Sequence, residues 1–433
     1  MRLSLLLRVI ALGSAIEAIK ALPLEPEHVR RTPTFNPFNV TKVVSVAENI
    51  ARYSWEYGTL AEALLELYNP TYSVYANNSF PSNTIPSVSS KIPSLVYANS
   101  KFNFAQGTLS PGNGANGDPA SLGVSAVLIG ETNKTVKAAA QKQIKALFAA
   151  PRFYNGAISQ RTAVAELWAD ATLSIPLHCT QLIMPFMAYY GASTGNVSMV
   201  EDAANQLLLY RNILLANTTE SWQGLWVHIV GPQSQTLGIW ATGNGWAALG
   251  MARVLATLQK YGPSKSQTAL QGQLVSAMMS IFTGLNGHDP STGLLRNYLI
   301  GDSNNQNIRN VSWFGDASGS AALVASALRL AVLQSSTCNN LYHASRPIRD
   351  AVVKSIGVTT GIASPTVNPY SWFSTGAYTQ GSPEGQAFII NMYSAWRDCV
   401  SYGCCPQPSA ESASYGTYPV WGGAVVANTT TSA

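Results

Sequence analysis

The feature that most constrains this chain is a helical period that recurs along most of its length. Residues 46–68 carry Val46, Ile50, Tyr53, Tyr57, Leu60, Leu64 and Leu67 at three- and four-residue steps, the spacing that gathers apolar side chains on one face of an α-helix. Comparable patterns run over 121–130, 134–149, 162–191, 198–215, 244–260, 267–284, 317–334, 346–356 and 384–400. Clusters of Gly, Pro, Asn and Ser separate them. Strand-like alternation is nearly absent, so the pattern predicts an all-α protein of about ten to twelve helices, a ring of helical hairpins rather than a short bundle. Residues 69–117 break the rule, being rich in Ser, Asn, Pro and Gly with little period. A segment of that kind inside a compact domain is a functional rim loop or a disordered insert, and it is expected over one mouth of the ring.

The ends of the chain read differently from its body. Arg2, the apolar run Leu3–Leu12 broken by Arg8, and the small residues Gly13, Ser14, Ala15, Ala18 and Ala21 read as a signal peptide over 1–21. Arg30-Arg31 reads as a dibasic processing site, which would make 22–32 a propeptide and 33–425 a single catalytic domain. The tail 426–433 is polar and lacks a lipid-anchor signal. Charged residues are only 11% of the chain against 46% apolar, a balance that suits a secreted, extracellular protein. Asn-x-Ser/Thr sequons at Asn39, Asn77, Asn133, Asn196, Asn217, Asn310 and Asn428 are expected to carry glycans on surface loops. The net charge of +5 is scattered, with no basic cluster to hold a phosphate backbone, so nucleic acid is not an expected partner. No apolar run after the leader reaches spanning length, so neither is a membrane. A monomer is expected. Of five cysteines, Cys399 or Cys338 can bridge to the Cys404/Cys405 pair, and Cys179 stands alone. The histidines are too scattered for a metal site, and nothing requires a cofactor.

The chemistry concentrates between residues 222 and 246. Trp222, Trp226, His228, Trp240, Asn244 and Trp246 fall within this stretch. Indole faces pack on the C–H faces of sugar rings while Asn and His bond hydroxyls, a combination of apolar walls and placed polar groups that makes a pocket. Each tryptophan could instead fill a core. Thr242-Gly243-Asn244-Gly245 reads as a loop between Trp240 and Trp246, and loops that present aromatics favour binding.

Here the sequence resembles the six-hairpin glycosidases of the unsaturated glucuronyl and rhamnogalacturonyl hydrolase group, glycoside hydrolase families 88 and 105, in a secreted member of fungal type. The blocks that carry the resemblance occur in order: Gly-Asp-Pro-Ala-Ser-Leu-Gly from Gly117, Pro151-Arg152, Asn155 to Arg161, Glu166-Leu167-Trp168-Ala169-Asp170, Met184-Pro185-Phe186, Gly224 to His228, Gly238 to Trp246, and Ser382-Pro383-Glu384-Gly385-Gln386. They span 117–386, and weaker similarity extends over 40–400. The resemblance implies an (α/α)6 barrel with its active site at one mouth. It also implies that a carboxylic acid protonates the C4=C5 bond of an unsaturated uronide, water adds at C5, and the hemiketal collapses to release the sugar. That differs from the two-carboxylate scheme of ordinary glycosidases, but still needs a carboxyl whose pKa is raised by burial or by a like charge.

By motif, Asp170 takes the acid/base position and Asp118 that of the supporting aspartate, although Asp118 precedes Pro119 at a helix start, where Asp also caps. His228 would bond substrate hydroxyls. Trp55 and Tyr57 resemble the aromatic wall on the first helix, and Trp226, Trp240, Asn244 and Trp246 complete the sugar site.

The chain departs from the family pattern in three places. Thr242 stands where the family carries an arginine that helps hold the uronate, and a hydroxyl cannot make a bidentate charge-assisted contact. Gln160-Arg161 replaces a His-Lys pair, leaving Arg161 as a candidate for an acidic group. Pro185 follows Asp170 by fifteen residues instead of about seven, a surplus of eight that contains Pro176, which a helix interior does not tolerate. Either a loop bulges beside Asp170 or Thr172–Gln181 is translated intron; in register, His178 falls where the aspartate would stand. The function expected is a secreted glycoside hydrolase acting on cell-wall-derived, pectin-type oligosaccharides. The alternatives are a catalytically inactive sugar-binding protein on the same barrel, or a polysaccharide lyase, which needs a base and a positive clamp on the uronate and for which His228 and Arg161 are the only candidates.

Overall fold

The computed structural model describes residues 37–169, 182–216, 222–285, 289–301, 311–368 and 370–407, and the backbone of 172–173, 175–176 and 180–181. The candidate signal peptide, the candidate propeptide, Asp170, His178, Cys179 and the polar tail lie outside the described residues. The secondary structure is α1 (Val40–Ile50), α2 (Ser54–Tyr68), α3 (Pro93–Asn99), α4 (Gly117–Ala120), α5 (Gly123–Gly130), α6 (Lys134–Ala149), α7 (Thr180–Thr194), α8 (Val197–Leu214), α9 (Ala241–Lys260), α10 (Thr268–Gly284), α11 (Ala317–Leu333), α12 (Cys338–Ser355) and α13 (Pro383–Ser401). Described strands are two or three residues long and pair only in twos. This is the expected all-α architecture.

Two sets of helices separate by burial. Along α6 the buried residues are Val136, Ala139, Ala140, Gln143, Ile144 and Leu147, a single stripe of period 3.6 with a polar outer face. It is an outer helix, as are α1, α8, α10 and α12. By contrast α9 and α11 are buried almost all round, which requires neighbours on every side. The inner helices α2, α4 with α5, α7, α9, α11 and α13 contact one another in that order, and α13 returns to α2, closing a ring. Small residues let the inner backbones approach. A Cβ on Gly245 would lie 2.5 Å from the Cβ of Ala322, and one on Gly319 would lie 2.6 Å from the backbone nitrogen of Thr242, both closer than van der Waals contact allows.

Three sequence expectations need correction. The period over 46–68 is not one helix: the chain breaks at 51–53, because the Glu56 carboxylate accepts the N–H groups of Arg52 (2.5 Å) and Tyr53 (3.0 Å) and so caps α2 separately. The period over 162–191 is helical only from Thr180. Leu167–Trp168 pairs antiparallel with Ile229–Val230, and the Glu166 side chain holds the backbone N–H of Gln233 and Ser234, both at 2.8 Å. These long-range bonds override the local pattern. Segment 69–117 is not structureless. It carries α3, which packs on α2 and α5, and it buries Val74, Tyr75, Phe80, Ile85, Val88, Leu95 and Leu109.

The first part of that segment closes the end of the ring where the inner helices finish. Arg253 bonds Glu66 at 2.7 Å and pairs with Glu62 at 3.5 Å. Arg329 bonds Glu66 at 2.9 Å and Asp398 at 2.5 Å. The Tyr75 ring lies 4.0 Å from the Arg329 guanidinium, and Lys260 Nζ donates to the carbonyls of Tyr75 (2.5 Å) and Ala76 (2.9 Å). Deleting one partner from such a buried network leaves an uncompensated charge and costs about 3–5 kcal/mol. The opposite end, where α2, α9, α11 and α13 begin, is left for the site. The Cys338–Cys404 bridge fastens the segment after α13 to the start of α12, and Cys399–Cys405 closes that segment back onto the end of α13.

Candidate active site

At the starts of the inner helices a second hydrophobic cluster forms, separate from the helical core. It contains Ala115, Trp168, Ile229, Trp240, Tyr298, Trp313, Val367 and Trp372. His228 sits among these rings. Its imidazole centroid is 4.7 Å from Trp240, 5.2 Å from Trp372 and 6.1 Å from Trp168, and its Nδ1 is 2.8 Å from the Tyr298 hydroxyl. Burial pushes the His228 pKa down to about 3, because charging an imidazole away from water is costly. His228 is therefore neutral at ordinary pH and works as a hydrogen-bonding group, not as a cation.

Short backbone ladders set this geometry. Trp168 is paired with Ile229, and Trp240 with Tyr298. Trp240 Nε1 donates to Asn297 Oδ1 (2.6 Å), whose amide donates in turn to the Trp372 carbonyl (2.9 Å). Ala169, the residue before Asp170 in the chain, donates its N–H to the His228 carbonyl at 2.8 Å. Charge enters from one side. The Arg161 guanidinium lies 4.9 Å over the Trp168 ring, with Nε 3.4 Å from Glu166 Oε1 and Nη2 3.3 Å from the Ser234 hydroxyl. Trp168 Nε1 donates to the same Glu166 oxygen at 2.6 Å, so Arg161, Trp168 and Glu166 form one rigid unit.

The predicted residues divide between two roles. His228, Trp240 and Arg161 meet at the aromatic cluster. Asp118 is fully buried in the first turn of α4, at the same end of the ring. Trp226 and Trp246 instead belong to the helical core, Trp246 edge-on to Phe388 at 4.8 Å. Trp55 joins that core and stacks on Tyr53 at 4.6 Å. Tyr57 is half-buried on the rim, under the ammonium group of Lys101 at 4.8 Å. The stretch 242–245 is not a loop: α9 starts at Ala241, so Thr242 and Asn244 lie in its first turn. Asn244 is an internal tie. Its Oδ1 accepts the Trp226 N–H (2.8 Å), and its amide donates to the carbonyls of Trp226 and Trp240 (2.9 Å each). Thr242 is fully buried and donates its hydroxyl to Asp316 Oδ2 at 2.8 Å. Asp316, the N-cap of α11, also accepts N–H groups from Ser318, Gly319 and Val367. Burial raises its pKa and these bonds oppose the rise.

Several residues of the cluster escaped sequence reasoning. Tyr298, Trp313 and Trp372 sit in segments with little period, where aromatic residues were the available signal, while Trp168 lies in 162–191, whose apparent helical period hid its strand pairing. Glu56 gave none. Its carboxyl is fully buried at the start of α2, accepts the Tyr370 hydroxyl at 3.0 Å, and is pushed up to about 7 by burial, against hydrogen bonds from Arg52, Tyr53 and Tyr370 that lower it. Among the described residues no group of three His, Cys, Asp or Glu is placed to hold a metal ion, and no helix is long and apolar enough to cross a membrane.

The same architecture occurs in solved structures. One described as a possible member of glycoside hydrolase family 105, from Salmonella enterica serovar Paratyphi A, matches with a TM-score of 0.61 at 17% identity, covering 89% of this chain and 100% of that one. A glycoside hydrolase of family 105 from C. acetobutylicum matches at 0.57 and 13%, covering 83% and 99%. The α-1,6-mannanase of Salegentibacter sp. matches at 0.53 and 12%, covering 83% and 98%. At these identities the likeness establishes the (α/α)6 barrel alone, since one fold carries several chemistries. No protein of curated function matches the chain. The sequence model of Glycosyl Hydrolase Family 88 matches residues 31–335, which takes in the barrel from α1 to α11 and the aromatic cluster apart from Val367 and Trp372. That span is well over half the chain, and this protein belongs to Glycosyl Hydrolase Family 88.

Proposed function

We propose that the protein is a secreted hydrolase that hydrates the C4=C5 bond of an unsaturated uronide at the end of a cell-wall-derived, pectin-type oligosaccharide. The observation that carries this reading is an aromatic pocket flanked by the buried Arg161, itself ion-paired with Glu166 at 3.4 Å. His228 and the surrounding indoles offer faces and hydrogen bonds to a sugar ring, and Arg161, held over Trp168, offers positive charge to its carboxylate. Arg161 thereby supplies what Thr242, engaged with Asp316, does not. Asp170 is assigned as the acid that protonates C4 and then takes a proton from the water adding at C5. Asp118 is the supporting carboxyl, whose negative charge would keep the proton on Asp170. Secretion is supported by the two disulfides, which persist in oxidising compartments, and by the exposure of the sequon residues Asn39, Asn77, Asn133 and Asn196.

The test is incubation of the purified protein with lyase-generated pectin and glycosaminoglycan fragments while following the ultraviolet absorbance of the C4=C5 bond. The expected result is loss of absorbance by wild type and none by Asp170→Asn. Turnover that survives in Asp170→Asn would remove that residue from the acid role. Binding without turnover by wild type would favour a sugar-binding protein, a reading the loss of an arginine at Thr242 also supports.

A further inference from the structure

A cavity of about 700 Å³ opens at the rim beside the start of α2, within the range of small-molecule pockets. Its wall is built from Arg52, Tyr53 and Tyr57 on one side and from Lys101 and Asn113 of the following segment on the other. The composition is selective. Tyr53 is 39% exposed and Tyr57 half-buried, so two phenol rings present a face or an edge to the cavity. Lys101 Nζ is 4.8 Å from the Tyr57 ring and 5.0 Å from that of Tyr97. Arg52 is exposed, and one guanidinium nitrogen donates to its neighbour's carbonyl (Ala51, 2.7 Å). No described residue of the wall is acidic, and among the described residues neither cation forms an ion pair with a carboxylate. The buried Glu56 carboxyl lies next to Arg52 and accepts its backbone N–H, but the two cations are not ion-paired, and beside aromatic surface they favour an anionic ring ligand over a neutral one.

The cavity is also connected to the central cluster. Tyr53 meets Tyr370 edge-on at 5.5 Å, and the loop bearing Tyr370 carries Trp372, whose ring is 5.2 Å from His228. On the other wall, Asn113 is two residues from Ala115, a member of the cluster. The cavity wall and the rings around His228 are thus joined through the loop that bears both Tyr370 and Trp372.

We propose that this cavity is an outer subsite for a uronate-bearing ring of an acidic oligosaccharide, with Arg52 and Lys101 taking its carboxylate and Tyr53 and Tyr57 its C–H faces. The proposal rests on the carbohydrate reading above and names the substrate class as polyanionic. It puts carboxylate recognition on the rim, in a chain whose motif lacks the arginine at Thr242. The test is calorimetric titration of full-length wild type and of the double variant Arg52→Gln/Lys101→Gln with hexagalacturonate and with neutral xylohexaose, at low and high salt. Thermal melting is followed alongside to show that both proteins are folded. Wild type is expected to bind hexagalacturonate more tightly than xylohexaose, with affinity falling as salt rises. The double variant should lose about tenfold or more, the worth of one charge-assisted contact. Equal binding by the variant, equal binding of the two oligosaccharides, or no binding of hexagalacturonate by wild type would each overturn the proposal. Binding through these two residues without turnover of unsaturated fragments would leave the subsite standing and remove the hydrolase reading.

Discussion

Asn244→Ala separates a sugar ligand from a structural tie. Asn244 lies between Trp226 and Trp240, and its side chain makes three hydrogen bonds of 2.8–2.9 Å, all to backbone. The neighbours of Trp226 are held otherwise, Ala216 donating to the Leu225 carbonyl and Val227 to the Leu214 carbonyl. The N–H and C=O of Trp226 itself depend on Asn244. Truncation leaves those two buried groups without partners, at about 1–3 kcal/mol each, or about 2–6 kcal/mol together. Unfolding entropy of about 2.1 cal/mol/K per residue over roughly 400 residues makes each kcal/mol worth about 1.2 °C. The expected fall in Tm is therefore about 2–7 °C, read by scanning calorimetry, with little change in KM for whatever oligosaccharide the enzyme accepts. A Tm within a degree of wild type together with a raised KM would refute the reasoning and return Asn244 to the sugar. Asn244→Asp, which keeps the acceptor but sets a carboxylate oxygen against the two carbonyls in a buried site, should lower Tm at least as far as Asn244→Ala.

Two further predictions concern stability. The Glu56 carboxyl, raised from 4.5 to about 7, stays protonated in the fold while the unfolded chain ionises. Stability should be greatest below about pH 4.5 and decline by about 3 kcal/mol as pH rises to about 7. Glu62, also raised to about 7 by burial, titrates in the same window. The measurement is therefore the difference in denaturant midpoint between wild type and Glu56→Gln from pH 4.5 to 8, and a constant difference would sink the idea. Cys404→Ser opens a bridge between residues 66 apart in sequence, a cross-link worth about 4 kcal/mol by loop entropy. It should lower Tm by about 5 °C in scanning calorimetry, and an unchanged Tm would mean that the bridge does not restrict the unfolded chain.

The sequence by itself determined most of the helices. Its period places α6, α8, α9, α10, α11 and α13 within a few residues of where they lie, because an amphipathic or wholly apolar stripe depends only on local spacing. It also determined the family, through motif order along the chain, and it named His228, Trp240 and Arg161 as separate candidates that the tertiary structure brings together. What it could not determine was which aromatic residues share a pocket. Trp226 and Trp246 sit two and six residues from His228 and Trp240, yet face the helical core, while Trp372 comes from more than a hundred residues away to stand beside His228. A tryptophan carries the same local signal in a core as in a pocket, and only the closing of the helical ring decides which way it points. The strand pairing at Trp168 and the helical start at Ala241 were decided the same way: Glu166 and Asn244 bind backbone groups, and most of these bonds reach 18 to 68 residues along the chain. The break before α2 is instead a local cap, Glu56 holding N–H groups three and four residues before it. Thr242 shows both levels at once: the sequence registers the lost arginine, and the tertiary structure turns the hydroxyl that replaces it toward Asp316, away from recognition and into the scaffold.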